Sequence, residues 1–237
     1  MVEWWQCRRA PLTWCALAGA VAVALKVHFS AAAASDLQWM LHPLAWLLQA
    51  ATGHAFLRDA AGNWECRAAG LVLVKACAGS NFMVLSFASW CWLWRPRDRP
   101  WPLWQWGLRL GGALACAWVA ALGVNALRIV LVATVQPSLE HWLAAPDAHR
   151  LIGLLTYLPA LCLQGLLADR AEPARAVRLA CSLYVALMLA VPLASGAAAA
   201  NPRLYASHAA EALMVLAPLL AFAGWRDNCR ARRFSGS

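Results

Sequence analysis

The sequence predicts an all-α fold: a polytopic membrane helical bundle with about six transmembrane helices. Three observations carry that expectation. Of 237 residues, 62% are hydrophobic and only 13% charged, with a positive mean hydropathy. That is too little charge to cover a water-soluble domain of this length. Fifteen tryptophans gather at the ends of apolar runs, with Trp90, Trp92, Trp94, Trp101, Trp104 and Trp106 around one loop. Amphipathic rings favour that headgroup depth. Apolar stretches near the ~20 residues needed to cross hydrocarbon recur at 11–33, 78–94, 103–124, 150–168, 179–199 and 209–225. The net charge of +9 would suit nucleic acid, but the basic residues sit in short loops between spans, where topology alone requires them. The lipid bilayer is the expected partner, and nucleic acid is not.

The first span follows Arg8 and Arg9 and ends near the small residues Ala31 to Ser35, a pattern shared with cleaved signal peptides. It is longer than a signal core and is interrupted by Lys26 and His28, which favours an uncleaved anchor. The segment 37–51 (LQWMLHPLAWLLQAA) is short and holds Pro43. It reads as an interfacial or re-entrant helix, or as a seventh span. The stretch NWECRAAGLVLVKAC, 63–77, is bounded by turn residues and suits an extended segment or hairpin. The remaining spans follow in one membrane domain over 1–237.

Lysine and arginine counts orient the spans. With both termini inside, the cytoplasmic pieces hold twelve: Arg8, Arg9, Arg95, Arg97, Arg99, Arg170, Arg175, Arg178, Arg226, Arg230, Arg232 and Arg233. The outer pieces hold six: Arg58, Arg67, Lys75, Arg128, Arg150 and Arg203. A seventh span would put Arg8 and Arg9 outside, against the rule. Six spans place residues 35–77, 125–149 and 200–208 on the outer face.

Three polar sites fall at those outer boundaries. The first is VLVKACAGSNF, with Lys75, Cys77, Gly79, Ser80 and Asn81. In an extended stretch Lys75 and Cys77 share one side, and an ammonium nearby, with a helix N-terminus near Ala78, favours the reactive thiolate. Gly79 would leave room for a substrate backbone, and Asn81 stands one helical turn on. A buried apolar thiol is the ordinary fate of a membrane cysteine, and a disulfide with Cys66 is another. The second is NALRI, where Asn125 and Arg128 share a helix face among apolar neighbours. An arginine at mid-bilayer costs roughly 2.5–3.5 kcal/mol, less near the interface, where it can also snorkel. The third is HRLIG, where His149 opens a span beyond a short loop. An imidazole at the water boundary can accept and return a proton, though a histidine at a helix start is also an ordinary structural residue. His141, in mid-loop beside Glu140 and Trp142, is its weaker rival.

Together these are the parts of cysteine acyl transfer: a thiolate to attack a carbonyl, a histidine to move protons, an arginine to steady the oxyanion.

CAGSNF, NALR and HRLIG resemble the exosortase/archaeosortase family, whose signature pairs a cysteine in C-[SA]-G with an arginine in N-x-x-R and a histidine followed by glycine. The lysine before the cysteine, the asparagine–phenylalanine after it and the stretch ALKVHFSAAAASDLQWMLHPLAWLLQAATGHAF look most like the exosortase K branch. The resemblance covers about 20–165; the spans at 179–225 lie outside it. It implies a multi-pass enzyme of the bacterial inner membrane with its active site facing the periplasm. Its substrates would be membrane proteins with a C-terminal sorting signal: a PEP-type motif, a transmembrane helix and a basic tail. Cys77 would be the nucleophile, Arg128 the carbonyl or oxyanion partner and His149 the acid/base. Lys75, Gly79, Asn81 and Asn125 would support them. CAG replaces the commoner CSG, and the chain is short for the family.

Competing classes are a transporter or channel with Arg128 and His149 on its path, a thiol oxidoreductase using Cys66 and Cys77, and a non-catalytic scaffold. No inverted repeat and no C-x-x-C pair is present. No metal or nucleotide motif stands out, so no cofactor is expected.

Overall fold

The computed structural model describes residues 2–96, 101–168, 173–194 and 196–235. Arg97, Arg99 and Arg170 of the charge count lie outside the described residues. Among the described residues, six helices are long and apolar enough to cross a membrane: Pro11–Ala31, Lys75–Leu93, Leu103–Leu139, Ala145–Leu167, Pro173–Leu193 and Tyr205–Trp225. The chain is therefore an all-α multi-pass membrane protein, and each of these spans overlaps one read from the sequence. It divides into two compact units, Met1–Val130 and Leu131–Ser237.

The first unit begins with α1 (Val2–Ala31) and, after a 3₁₀ turn, α2 (Gln38–Thr52). At ~1.5 Å rise per residue the 15 residues of α2 reach only ~22 Å, short of the ~30 Å hydrocarbon core, and α2 is not among the spans. One face of α2 is buried (Met40, Leu41, Leu44, Ala45, Leu48), while Trp39 and Trp46 are exposed. Pro43 has no N–H to give the Trp39 carbonyl; the Trp118 indole donates to it instead at 3.3 Å, so the kink-prone position keeps its acceptor satisfied.

Beyond α2 a three-stranded antiparallel sheet forms from β1 (Leu57–Arg58), β2 (Trp64–Cys66) and β3 (Leu71–Leu73). Trp64 pairs with Leu73 and Cys66 with Leu71, which realises the hairpin expected in 63–77. The β1–β2 turn closes through Gly62, at φ 88 with an added Cβ only 2.8 Å from the Ser35 backbone nitrogen. Gln38 ties this turn to α2: its Nε2 donates to the Gly62 carbonyl at 2.6 Å and its Oε1 accepts from the Trp64 indole at 3.0 Å. The buried residues Leu44, Leu48, Phe56, Cys66, Leu73, Leu122 and Ile129 make one cluster, with Cys77 packed against it.

From β3 the chain enters α3 (Ser80–Leu93) and then α4 (Leu103–Leu139). Trp14, fully buried in α1, donates to the Cys91 carbonyl of α3 at 2.7 Å and meets Trp101 edge-on at 5.3 Å. Arg109, which the sequence places inside a span, is exposed and lies over the Trp101 ring at 4.2 Å, a cation–π contact. The span expected at 103–124 continues unbroken to Leu139. Asn125 and Arg128, expected on one helix face just past that span, stand within the same helix, because a polar residue lowers hydropathy without breaking the backbone ladder.

The second unit holds α5 (Ala145–Ala168), α6 (Pro173–Tyr184), a π-helical stretch Val185–Ala190, two short helices α7 (Val191–Ala194) and α8 (Ala197–Ala200), and α9 (Pro202–Ser235). At Gly165 an added Cβ would stand 2.7 Å from the Ala176 Cβ, so α5 and α6 approach through small residues, as membrane helices do.

Candidate active site

Cys77 lies in a 3₁₀ turn, Lys75–Ala78, between β3 and α3. Its N–H donates to the Val74 carbonyl at 2.8 Å, and its side chain is half-buried with Sγ 4.0 Å from the Val72 carbonyl oxygen. Gly79 then takes the left-handed conformation at φ 69, which glycine adopts without penalty, and α3 starts at Ser80.

Two expectations about this turn are corrected. Residues 75–78 are not extended, so Lys75 and Cys77 do not share a side by alternation. The Lys75 ammonium instead donates to the Ser30 carbonyl at 2.7 Å, in the last turn of α1, where helical carbonyls lack intrahelical donors. The space beside Gly79 is also not left for a substrate backbone. An added Cβ would lie 3.0 Å from Asn125 Cγ and 3.1 Å from its Cβ, so Gly79 is packed directly on Asn125.

Asn125 is the pivot of the site. It is fully buried; its Nδ2 donates to the Cys77 carbonyl oxygen, and its Oδ1 accepts from Arg128 Nη1 at 3.3 Å. One amide thereby joins the cysteine turn to a half-buried guanidinium one helical turn along α4. The i, i+3 spacing read from NALRI brings the two polar side chains together as expected. Asn81, on the first turn of α3, accepts through Oδ1 from Lys26 Nζ at 2.6 Å. The sequence marks Lys26 as a charge within the first span but gives it no partner and no place in the site. The signal was there: a lone cation in an apolar span is expected to have a polar partner. The Ser30 hydroxyl donates to the Lys26 carbonyl at 2.8 Å, so Lys26, Ser30, Lys75 and Asn81 lash the end of α1 to both sides of the Cys77 turn.

Cys66 and Cys77 are both free thiols. Cys66 is fully buried on β2 and fills the apolar cluster beneath the turn.

His149 belongs to the second unit, on the first turn of α5, and is exposed. Its Nδ1 lies 3.3 Å from Gln136 Oε1, and Gln136 Nε2 donates to Glu140 Oε1 at 2.7 Å. An amide oxygen facing Nδ1 favours the tautomer that carries its proton there. Neither Gln136 nor Glu140 was picked out from the sequence as a site residue, although their i, i+4 spacing marks them as neighbours on a helix. His141 is exposed, with Nδ1 3.1 Å from the Pro137 carbonyl oxygen and 3.3 Å from that of Ser138, at the carbonyl-rich end of α4.

Among the described residues no group of three or more His, Cys, Asp or Glu side chains is arranged to hold a metal ion. Comparison with protein-family models, with curated proteins and with solved structures finds no match to this chain.

Proposed function

We propose that the chain is a membrane-embedded cysteine peptidase or transpeptidase of the exosortase type. Cys77 acts as nucleophile, Arg128 stabilises the carbonyl or oxyanion, and His149 is the acid/base. The observation that carries this reading is the Asn125 side chain, bonded at once to the Cys77 carbonyl and to Arg128. A buried amide that fixes a thiol-bearing turn beside a guanidinium is the preorganisation that acyl transfer needs. His149 takes the Cys77 thiol proton as Sγ bonds to the substrate carbonyl carbon, and the tetrahedral oxyanion forms opposite Arg128. The C–N bond then breaks as His149 gives the leaving amine its proton. The resulting thioester is taken by an acceptor carrying an amine, a hydroxyl or water, which regenerates the thiol.

The substrates on this reading are membrane proteins ending in a short motif, a transmembrane helix and a basic tail, met from the periplasmic side of a bacterial inner membrane. Depth in the bilayer selects the scissile bond, because the substrate helix and its basic tail fix how far its outer end rises.

The test is processing of a tagged candidate substrate in cells. Cys77→Ala and Cys77→Ser abolish it, and Cys66→Ala leaves it within a few-fold of the parent. Equal loss in Cys66→Ala would favour a redox or disulfide role. Inserting several residues between motif and helix also abolishes processing; cleavage that follows the displaced motif at full rate contradicts the depth argument.

A further inference from the structure

A polar cluster ties the start of α5 to α9, whose residues lie outside the stretch that carries the resemblance. Arg150, the residue after His149, extends from α5 to α9. Its Nη2 donates to Asp147 Oδ1 on its own turn, to Ser207 Oγ at 3.0 Å and to Glu211 Oε1 at 3.2 Å. Ser207 in turn donates to the same Glu211 oxygen at 3.1 Å. The Arg150 and Glu211 side chains are only 19% and 13% exposed, so these are desolvated charges rather than a screened surface pair. His208 and Tyr184 stand beside the cluster, their rings 6.3 Å apart. The buried Arg150 Nε, His208 Nδ1 and Glu211 Oε2 have no hydrogen-bond partner among the described residues. An apolar helix pair would pack without any of these groups. Their concentration at the start of α5 has a local consequence, because the first turn of a helix is where fraying begins.

We infer that Glu211, supported by Ser207, is a positioning residue for His149 and acts through Arg150. This rests on the reading of His149 as the acid/base. Arg150 pins the backbone of the first turn of α5 to α9, and Gln136 fixes the ring through Nδ1. Loss of the α9 tie lets residues 145–150 fray, and the ring leaves Gln136. The last span thereby gains a task beyond anchoring: it holds the acid/base at a fixed height and rotation.

The experiment uses the full-length protein in lipid nanodiscs, with hydrogen exchange read over 145–153 and diethyl pyrocarbonate modification read at His149. Glu211→Ala speeds exchange at 145–150 by roughly tenfold, as expected for a locally released turn, and raises His149 modification several-fold, while α3 exchanges at the parent rate. Ser207→Ala, a milder change, gives a smaller rise in both. Glu211→Gln keeps an acceptor oxygen for Arg150 and stays near the parent. Three results overturn the assignment: no change in Glu211→Ala, acceleration spread equally over α3, or Glu211→Gln behaving like Glu211→Ala. A His149→Ala chain that still processes substrate would overturn the acid/base reading alone and leave the exchange result standing.

Discussion

The buried side-chain amide of Asn125, in the middle of α4, donates to the backbone carbonyl of Cys77, 48 positions earlier in the chain. The bond fixes a 3₁₀ turn that has no regular ladder of its own, and Arg128 holds the other end of the same amide. Asn125→Ala leaves the Cys77 carbonyl without its donor and costs about 1–3 kcal/mol of stability, read as a lower unfolding midpoint in detergent. Processing falls further, by on the order of a hundredfold, because a shift of roughly 1 Å in a reacting group is enough for that. Asn125→Asp keeps the shape and the acceptor for Arg128 but cannot donate. Full processing in that variant would show that the bond to Cys77 is dispensable.

Gly79 is tested by one methyl group. Its φ of 69 and the 3.0 Å approach of Asn125 Cγ both oppose a side chain. Gly79→Ala costs about 1–2 kcal/mol for the left-handed backbone alone, with the displacement of Asn125 added. Maleimide labelling of Cys77 in intact membranes changes rate as the turn shifts, whereas labelling at the parent rate would show that the turn tolerates a Cβ.

The two lysines predict a mechanical effect. Lys75→Met removes the donor to the Ser30 carbonyl, and Lys26→Met removes the donor to Asn81. Hydrogen exchange at the end of α1, residues 28–31, rises in Lys75→Met, while Lys26→Met loosens the first turn of α3. Processing drops in both by an amount set by how far the Cys77 turn moves. Unchanged exchange at both sites would mean that neither tie holds the turn.

How much of this was legible beforehand differs by kind of contact. The spans were readable because a run of about 20 apolar residues is a sufficient condition for crossing. The Asn125–Arg128 pairing was readable because helical periodicity fixes it locally. The reach of α4 to Leu139 was not, because hydropathy tracks transfer to lipid while the backbone ladder continues past Arg128. The conformation at Lys75 was not, because an extended stretch and a 3₁₀ turn differ there by contacts with α1 and α4, far off in sequence. The Lys26–Asn81 and Asn125–Cys77 bonds are long-range for the same reason; only the cost of a polar group in an apolar span hinted that partners existed.

Acid acts on the β1–β2 turn. Asp59 accepts from the Asn63 side chain at 2.9 Å and from its N–H at 2.8 Å, and these bonds, the side-chain one foremost, hold its carboxyl below its ordinary value. With the folded pKa depressed, the carboxylate stabilises the turn fully above the unfolded value, and that contribution is lost as pH falls through the folded one. Exchange at residues 59–63 therefore accelerates on acidification through that window beyond the intrinsic chemical trend. Asp59→Asn removes the pH dependence; if the variant retains it, another group is responsible.

The proposed chemistry turns on an acyl-enzyme at Cys77. Hydroxylamine added to membranes holding the full-length chain and a tagged substrate intercepts a thioester and leaves a hydroxamate at the substrate's new C-terminus, identified by its mass. The parent chain gives that product and Cys77→Ala gives none. A carboxylate product that stays free of hydroxamate at high hydroxylamine, or hydroxamate formed equally by Cys77→Ala, would contradict it.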